Sequence, residues 1–428
     1  MKIFFFGSPV RGKSSVARGK ARGVFPTNTF MYKFMFKYIS LTLITLLAVK
    51  SYSQDHNEYE LFCSKMSDSL HIHLNCRFSN SDNNRNYLVL AEGIKVQSLF
   101  LNDQKTQFDH VGDTLWLHTD MNLQAISMDY DVPMATYTAS DGGFYLRREC
   151  AWYPKINDEL LSANIHIEDS SCYIVSGSEQ GTHYQTDLAY EMHLFMMPKQ
   201  LFNIRVEKSL WRPLLFYTSV FDTTQYNQTF FDDFINSYNF YAKFFNDSIT
   251  DAPLHVVNVF DSAFDFGQSL SNAIVFGNNF YHIYTYYPSA TNVPHEVAHL
   301  WWGNRLFCDR SAWFWSESIV EYLKIQWAKQ TTNKYDSLMY YYKAYNELIT
   351  EKEPIGSIED IKTISRNLII YNYAPWKLEL LSIQHPELQM DDYIKTIYLN
   401  YRFNLVNAKQ CLEVANPKQR RIIMNLLK

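Results

Sequence analysis

The stretch TNVPHEVAHLWWGNRL, residues 291–306, sets two histidines four positions apart and places a glutamate directly after the first. On an α-helix, residues four apart share a face, with Cβ atoms about 5–6 Å from each other. His295 and His299 can therefore close on one ion. Neutral imidazole nitrogens suit Zn²⁺ at about 2.0–2.1 Å, and a zinc ion that does chemistry takes three protein ligands and keeps a fourth position for water. Glu296 lies on the adjoining face, where a carboxylate can take a proton from that water. The competing reading is an amphipathic helix whose histidines sit beside Trp301 and Trp302 as core residues bonded to carbonyls. Two histidines leave a ligand set incomplete, so the residues that follow matter. Gly303 and Asn304 read as a helix stop. LFCDRSAWFW, residues 306–315, then leads into SESIVEY, residues 316–322, which delivers Glu317 at the start of a second helix. Glu321, one turn on and on the same face, is the rival third ligand.

HEVAHLWWGN followed by a tryptophan-rich loop and WSESIVEY resembles the aminopeptidase N family of zinc peptidases, the gluzincins that also include leukotriene hydrolase. The family pattern is HExxH, W-x-G-N, then W-x-x-E-G-x-A-x-Y, and Trp301, Gly303, Asn304, Glu317 and Tyr322 fall on it. The resemblance implies one Zn²⁺ per chain on His295, His299 and Glu317, with Glu296 as general base. Between His299 and Glu317 stand 17 residues, one fewer than the family's usual number, which puts a deletion in the loop at 305–315. YNYAPWKLELL, residues 371–381, resembles the family's Y-x-K-G-A segment and implies Tyr371, with Tyr373 as near rival, as donor to the oxyanion; Ala374 replaces the family's Gly, and its Lys is missing. Upstream, where the family has G-x-M-E-N with a glutamate for the substrate's free amine, this chain reads GQSLSNAIVF, Gly267 to Phe276, without a glutamate. An edge strand there can still bind peptide backbone, but exopeptidase specificity does not follow. Asp309 and Glu321 are the candidates for holding the histidines in orientation.

Outward from this centre, residues 57–206 run as short alternating segments between turn residues, among them RNYLVLAEGIKVQSLFLN and SANIHIED, which predicts a β-rich, sandwich-like domain. After about Lys208 helical spacing takes over in FFDDFINSYNFYAKFF, residues 230–245; APLHVVNVF reads as a strand and SNAIVFGNNFYHIY as an edge strand. Residues 316–351 and 376–428 read as helical, with breaks at Pro386 and Pro417. The expected class is α+β, with residues 54–207 as the β-rich domain and 208–428 as a thermolysin-like, mainly helical zinc-peptidase domain with a shortened helical tail.

Residues 1–53 carry nine Lys or Arg and no Asp or Glu, leaving 30 basic against 44 acidic residues in the remainder, about −14. Such a body repels nucleic acid. From Met31 a basic, aromatic start, an apolar stretch from Ile39 to Val49 and small Ser51 and Ser53 before Gln54 form an export signal, shorter than the roughly 20 residues of a membrane span. Membrane association is expected only if that segment stays uncleaved. Met31 or Met35 is then the expected start. GSPVRGKS, Gly7 to Ser14, spells a phosphate loop, yet no βαβ unit follows to hold a nucleotide. Cys63 with Cys76 and Cys150 with Cys172 are possible disulfides of an exported chain, and buried thiols are the alternative. Together these readings predict an exported zinc metallopeptidase acting on peptides. The alternative is a non-catalytic zinc-containing relative that binds peptide or protein.

Overall fold

The computed structural model describes residues 56–79, 86–119, 123–155, 160–222, 228–249, 252–261, 267–277, 292–309, 313–347 and 368–426. The phosphate-loop spelling and the export segment lie outside them.

The first half is built on an eight-stranded sheet with the order Ser178–Gln180, His183–Ala189, Leu161–Ile167, Asn57–Lys65, Ser69–Arg77, Ala125–Pro133, Lys95–Leu101 and Gln104–Lys105. Its four central strands alternate; in Asn57–Lys65 Tyr59, Leu61 and Cys63 turn inward, and Glu58, Glu60 and Phe62 outward. Period-two patterning leaves one face wet and one dry. The dry face packs on two three-stranded sheets, through Leu88, Leu115 and Leu117 of one and Phe144, Leu146, Leu194 and Met196 of the other. This is the sandwich-like arrangement that the alternation predicts.

The sheet made of Cys172–Val175, Leu194–Pro198 and Phe144–Leu146 is a shared wall. Its other face presents Tyr145, Val175, Phe195 and Met197 to a five-stranded sheet, meeting Tyr217, Val257, Val259 and Val275. That sheet has the order Phe202–Lys208, Pro213–Ser219, Leu254–Val259, Ala273–Gly277, Gly267–Ser269, with its three middle strands parallel. All six residues of Leu254–Val259 are buried because the sheet is covered on both sides, as parallel strands normally are. The far side is covered by helices α1 (Gln228–Phe244) and α2 (Asn292–Ala298), whose Phe230, Phe231, Phe234, Tyr238, Val293 and Val297 join Leu214, Phe216, Val256 and Ile274 in one core. The five-stranded sheet begins at Phe202, within the stretch read from sequence as the end of the β-rich domain.

Helices α3 (Trp313–Thr331), α4 (Tyr335–Glu347), α5 (Ala374–Gln384), α6 (Met390–Tyr401), α7 (Ala408–Val414) and α8 (Pro417–Leu426) complete the chain. The breaks expected at Pro386 and Pro417 are a 3₁₀ turn over Pro386–Leu388 and the first residue of α8. The molecule is thus α+β, a β-rich half followed by a sheet and helices.

Of the two readings of the cysteines, the structure has the thiols. All six are free thiols. Cys63 pairs across the ladder with Ile72 and Cys76 with Tyr59, four residues further along the same strand, a separation of about 13 Å at 3.3 Å per residue, beyond the reach of a disulfide.

Candidate metal centre

Helix α2 is short and tightens as it ends. His299 N–H still reaches His295 O at 3.4 Å, but Leu300 and Trp301 bond back to Val297 and Ala298 in 3₁₀ fashion. The turn then reverses at Gly303, whose φ of +134° suits glycine. A Cβ there would stand 3.0 Å from His299 Nδ1. Asn304 anchors the reversal on the sheet edge, donating to Ser269 Oγ at 2.9 Å and Leu270 O at 3.1 Å. Trp302 joins the two ligand-bearing elements, its indole N–H donating to Trp315 O in the first turn of α3 at 2.6 Å.

Across this joint three donor atoms converge. His295 Nε2 and His299 Nε2 are 3.2 Å apart, and Glu317 Oε2 lies 3.5 Å from the first and 3.4 Å from the second. Tetrahedral coordination with bonds of about 2.0–2.1 Å requires donors about 3.3–3.4 Å apart. Among the described residues this is the one group of three or more His, Cys, Asp or Glu side chains so arranged. The donor set therefore fits a zinc ion.

The far ring nitrogens fix the tautomers. His299 Nδ1–H donates to Trp302 O at 3.0 Å, which leaves the Nε2 lone pair for the centre. His295 Nδ1 lies 2.7 Å from Glu321 Oε1, an ion-pair distance without the in-line geometry of a hydrogen bond. Glu321 is thus turned to the outer side of His295, away from the rival ligand role, and is held there by Lys324 Nζ at 2.5 Å and by the hydroxyl of Tyr342. Of the two candidates for orienting a histidine, Glu321 stands beside one; Asp309 N–H is bound to Val406 O on a short bridge. Tyr322 points elsewhere, donating to Asp391 at 3.0 Å and tying α3 to α6.

The centre is electron-rich and mostly buried, its three donor side chains 11–14% exposed. Burial opposes charge on His295, yet the carboxylates of Glu321 and Glu317 outweigh it and push the imidazole up to about 10. Burial also works against Glu317 and Glu321, but the histidines hold the first well below the usual carboxylate range, and Lys324 with His295 does the same for the second. Glu296 is raised, mainly by its burial. Its carboxylate packs over Gly267, where a Cβ would come within 2.6 Å of Oε1. Tyr371 lies beside His295, with ring centroids 6.0 Å apart, in a π-helical widening over Ile369–Tyr373. Such widenings recur at functional sites. Burial and the Glu317 carboxylate keep its phenol protonated. Tyr373 instead lies near Trp376, the rings tilted by 48° with centroids 6.4 Å apart.

The edge of the five-stranded sheet is Gly267–Ser269, not the following strand Ala273–Gly277, which lies one place inward. Gln268 on that edge accepts from Arg147 Nη1 at 3.3 Å and donates to Glu149 at 3.0 Å. FYLRRECAWYP, which holds both residues, resembles the β-rich part of the peptidase family in sequence, but nothing in it marks Arg147 or Glu149 as reaching this edge.

Solved structures of the same architecture exist. A zinc metallopeptidase of the M1 group from Deinococcus radiodurans, in a variant bound to a Tyr-Ser-Ala substrate, is 12% identical with a TM-score of 0.62, covering 87% of this chain and 93% of its own. The fold is that of the M1 zinc metallopeptidases. Another structure of the Deinococcus protein gives 13% identity and a TM-score of 0.59, over 86% of this chain and 93% of that one. The native yeast LTA4 hydrolase is 13% identical with a TM-score of 0.60, over 86% of this chain and 66% of its own. No protein-family model matches the sequence. No curated protein matches it either.

Proposed function

We propose that the chain is an exported zinc metallopeptidase that hydrolyses peptide bonds, with one Zn²⁺ per chain on His295, His299 and Glu317. The observation that carries this reading is the triangle of donors 3.2, 3.4 and 3.5 Å on edge, with the carboxyl group of Glu296 beside it. A purely structural zinc site has no use for that acid. The M1 fold supports the same reaction class. When bound, the zinc ion supplies Lewis acidity toward water and the scissile carbonyl. Glu296, kept partly protonatable by its burial, takes the proton of the attacking water and hands it to the leaving amine. Tyr371, protonated throughout, donates to the carbonyl oxygen as negative charge develops there. Gly267–Ser269 offers backbone groups to an extended peptide. Export rests on the segment from Met31, and among the described residues no helix is long and apolar enough to cross a membrane.

The experiment is zinc content per chain together with hydrolysis of amino-acid amides and blocked peptides. We expect about one equivalent, and a Glu296→Gln variant that keeps its zinc and loses about 10²–10⁴-fold in kcat. An unchanged rate in Glu296→Gln would remove the mechanism. The glutamate-free run from Gly267 to Phe276 favours a second reading, a zinc-containing relative that binds peptide without cleaving it; zinc at one equivalent with no hydrolysis of any substrate, but saturable peptide binding, would establish that one.

A further inference from the structure

The wet face of the eight-stranded sheet carries a second pair of histidines far in sequence from the first. His166 and His183 stand opposite each other on the antiparallel strands Leu161–Ile167 and His183–Ala189. The adjacent rung is hydrogen-bonded, Ile167 N–H to Thr182 O at 3.0 Å, so 166/183 is the closely spaced kind that brings side chains together. Their Nδ1 atoms are 3.1 Å apart, with rings perpendicular at 87°.

With both rings neutral, one buried lone pair or one repulsive contact is left over. His183 Nε2–H donates to Asn164 Oδ1 at 3.3 Å, so its Nδ1 presents a lone pair. If His166 carries its proton on Nδ1, that contact is satisfied, but its Nε2 lone pair is then sealed from water with no hydrogen-bond partner and with the Glu60 carboxylate 3.7 Å away. If the proton sits on Nε2, toward Glu60, two lone pairs face each other at 3.1 Å. A positive particle between the two Nδ1 atoms resolves both conflicts.

We propose that His166 and His183 form a two-histidine site for a divalent transition-metal ion of the copper or zinc type, separate from the centre at His295. The donor spacing of 3.1 Å is close to the 3.2 Å between the two histidine nitrogens of that centre. The outer nitrogen of His183 is held by Asn164 Oδ1 at 3.3 Å, the kind of partner that orients a ligating histidine, and the Glu60 carboxylate lies 3.7 Å from the outer nitrogen of His166, at ion-pair rather than hydrogen-bond range. Phe62 stacks on His166 at 4.5 Å and 9°, holding the ring in place. The His166 side chain is about one-third exposed, so the pair lies at the protein surface. A proton could play the same part only in acid, because burial and the neighbouring His183 lower the affinity of His166 for it. Copper(II) is the strongest binder at such nitrogen sites.

The test titrates zinc-loaded full-length protein with copper(II) at neutral pH, reading heat and the nitrogen couplings in pulsed EPR, and repeats it on His166→Gln, His183→Gln and, as a control, His118→Gln. We expect one further equivalent with two imidazole couplings. Each of the first two variants should weaken it at least about tenfold, since loss even of an orienting partner costs about 10–100-fold. His118→Gln should bind as the parent does. Retained zinc and an unchanged melting temperature show that the variants are folded, and peptide hydrolysis should be untouched, so failure here leaves the reading of the His295 centre standing. Binding within twofold of the parent in both His166→Gln and His183→Gln, or no further equivalent in the parent, overturns the proposal.

Discussion

Gly267 and Gly303 each leave room for a neighbouring side chain, and the two neighbours belong to different parts of the proposed chemistry. At Gly303 the neighbour is His299, one of the three convergent donors; at Gly267 it is the whole outer half of Glu296, with Cγ, Cδ and Oε1 all within 2.9 Å of a Cβ placed there. Gly267→Ala should therefore displace the acid without touching the donor triangle. We expect hydrolysis to fall about 10–100-fold with zinc content unchanged, short of the loss on removing the carboxylate altogether; a rate within twofold of the parent would show that Glu296 does not act from where it lies. His295, Glu296 and His299 could be picked out from spacing alone, because a helix fixes which residues share a face. The partners of the outer ring nitrogens could be read only in part. Glu321 was one of two candidates, whereas the carbonyl of Trp302 depends on how the chain turns after Ala298, which no side-chain pattern records.

Helices α2 and α3 supply the donors from two separate pieces of chain, and Trp302 is common to both. Its carbonyl orients His299 while its indole holds the first turn of α3. Trp302→Phe keeps the carbonyl and removes the indole donor, so it should loosen Glu317 relative to the histidines. A loss of about 1–3 kcal/mol in unfolding free energy is expected from the broken buried bond and the smaller ring, along with weaker zinc retention against a chelator. Equal retention in parent and variant would show that the two elements are held in register by other contacts. Element types were legible where the hydrophobic period was clear, as in the aromatic stripe of α1 and the alternating strands of the first half. They were less so in the five-stranded sheet, where full burial erases alternation and Gly267–Ser269 merged with Ala273–Gly277 into one apparent edge. The widening over Ile369–Tyr373, which carries Tyr371, has no signature in composition.

At the scale of the whole molecule, the seam between the shared wall and the five-stranded sheet contains His193 and His255, both buried. Burial lowers His193 to about 3, with His255 adding to the effect, and lowers His255 to about 4, with Arg212 adding. Both are neutral in the folded protein at pH 7, whereas the unfolded chain takes up protons near 6.5. Between those values the unfolded state binds more protons, so stability falls as pH is lowered from about 6.5 toward 4, by up to about 1.4 kcal/mol per pH unit for each histidine. Melting temperatures measured from pH 7 to 4.5 should show this slope, and His255→Gln should flatten it; an identical slope in the variant would assign the acid sensitivity to other groups. That a β-rich part precedes a helical one was visible in the change from alternating to helical spacing along the sequence. The double-sided wall was not, since it is built from short strands 50 residues apart that meet only in the folded chain.

That wall makes the halves inseparable. Tyr145, Phe195 and Met197 on one side and Val257, Val259 and Val275 on the other are a greasy joint with no solvent-facing alternative. A polypeptide begun at residue 208 would retain every group around His295 yet bare one whole side of its central pleated layer, and would clump in water before it could ever meet a peptide.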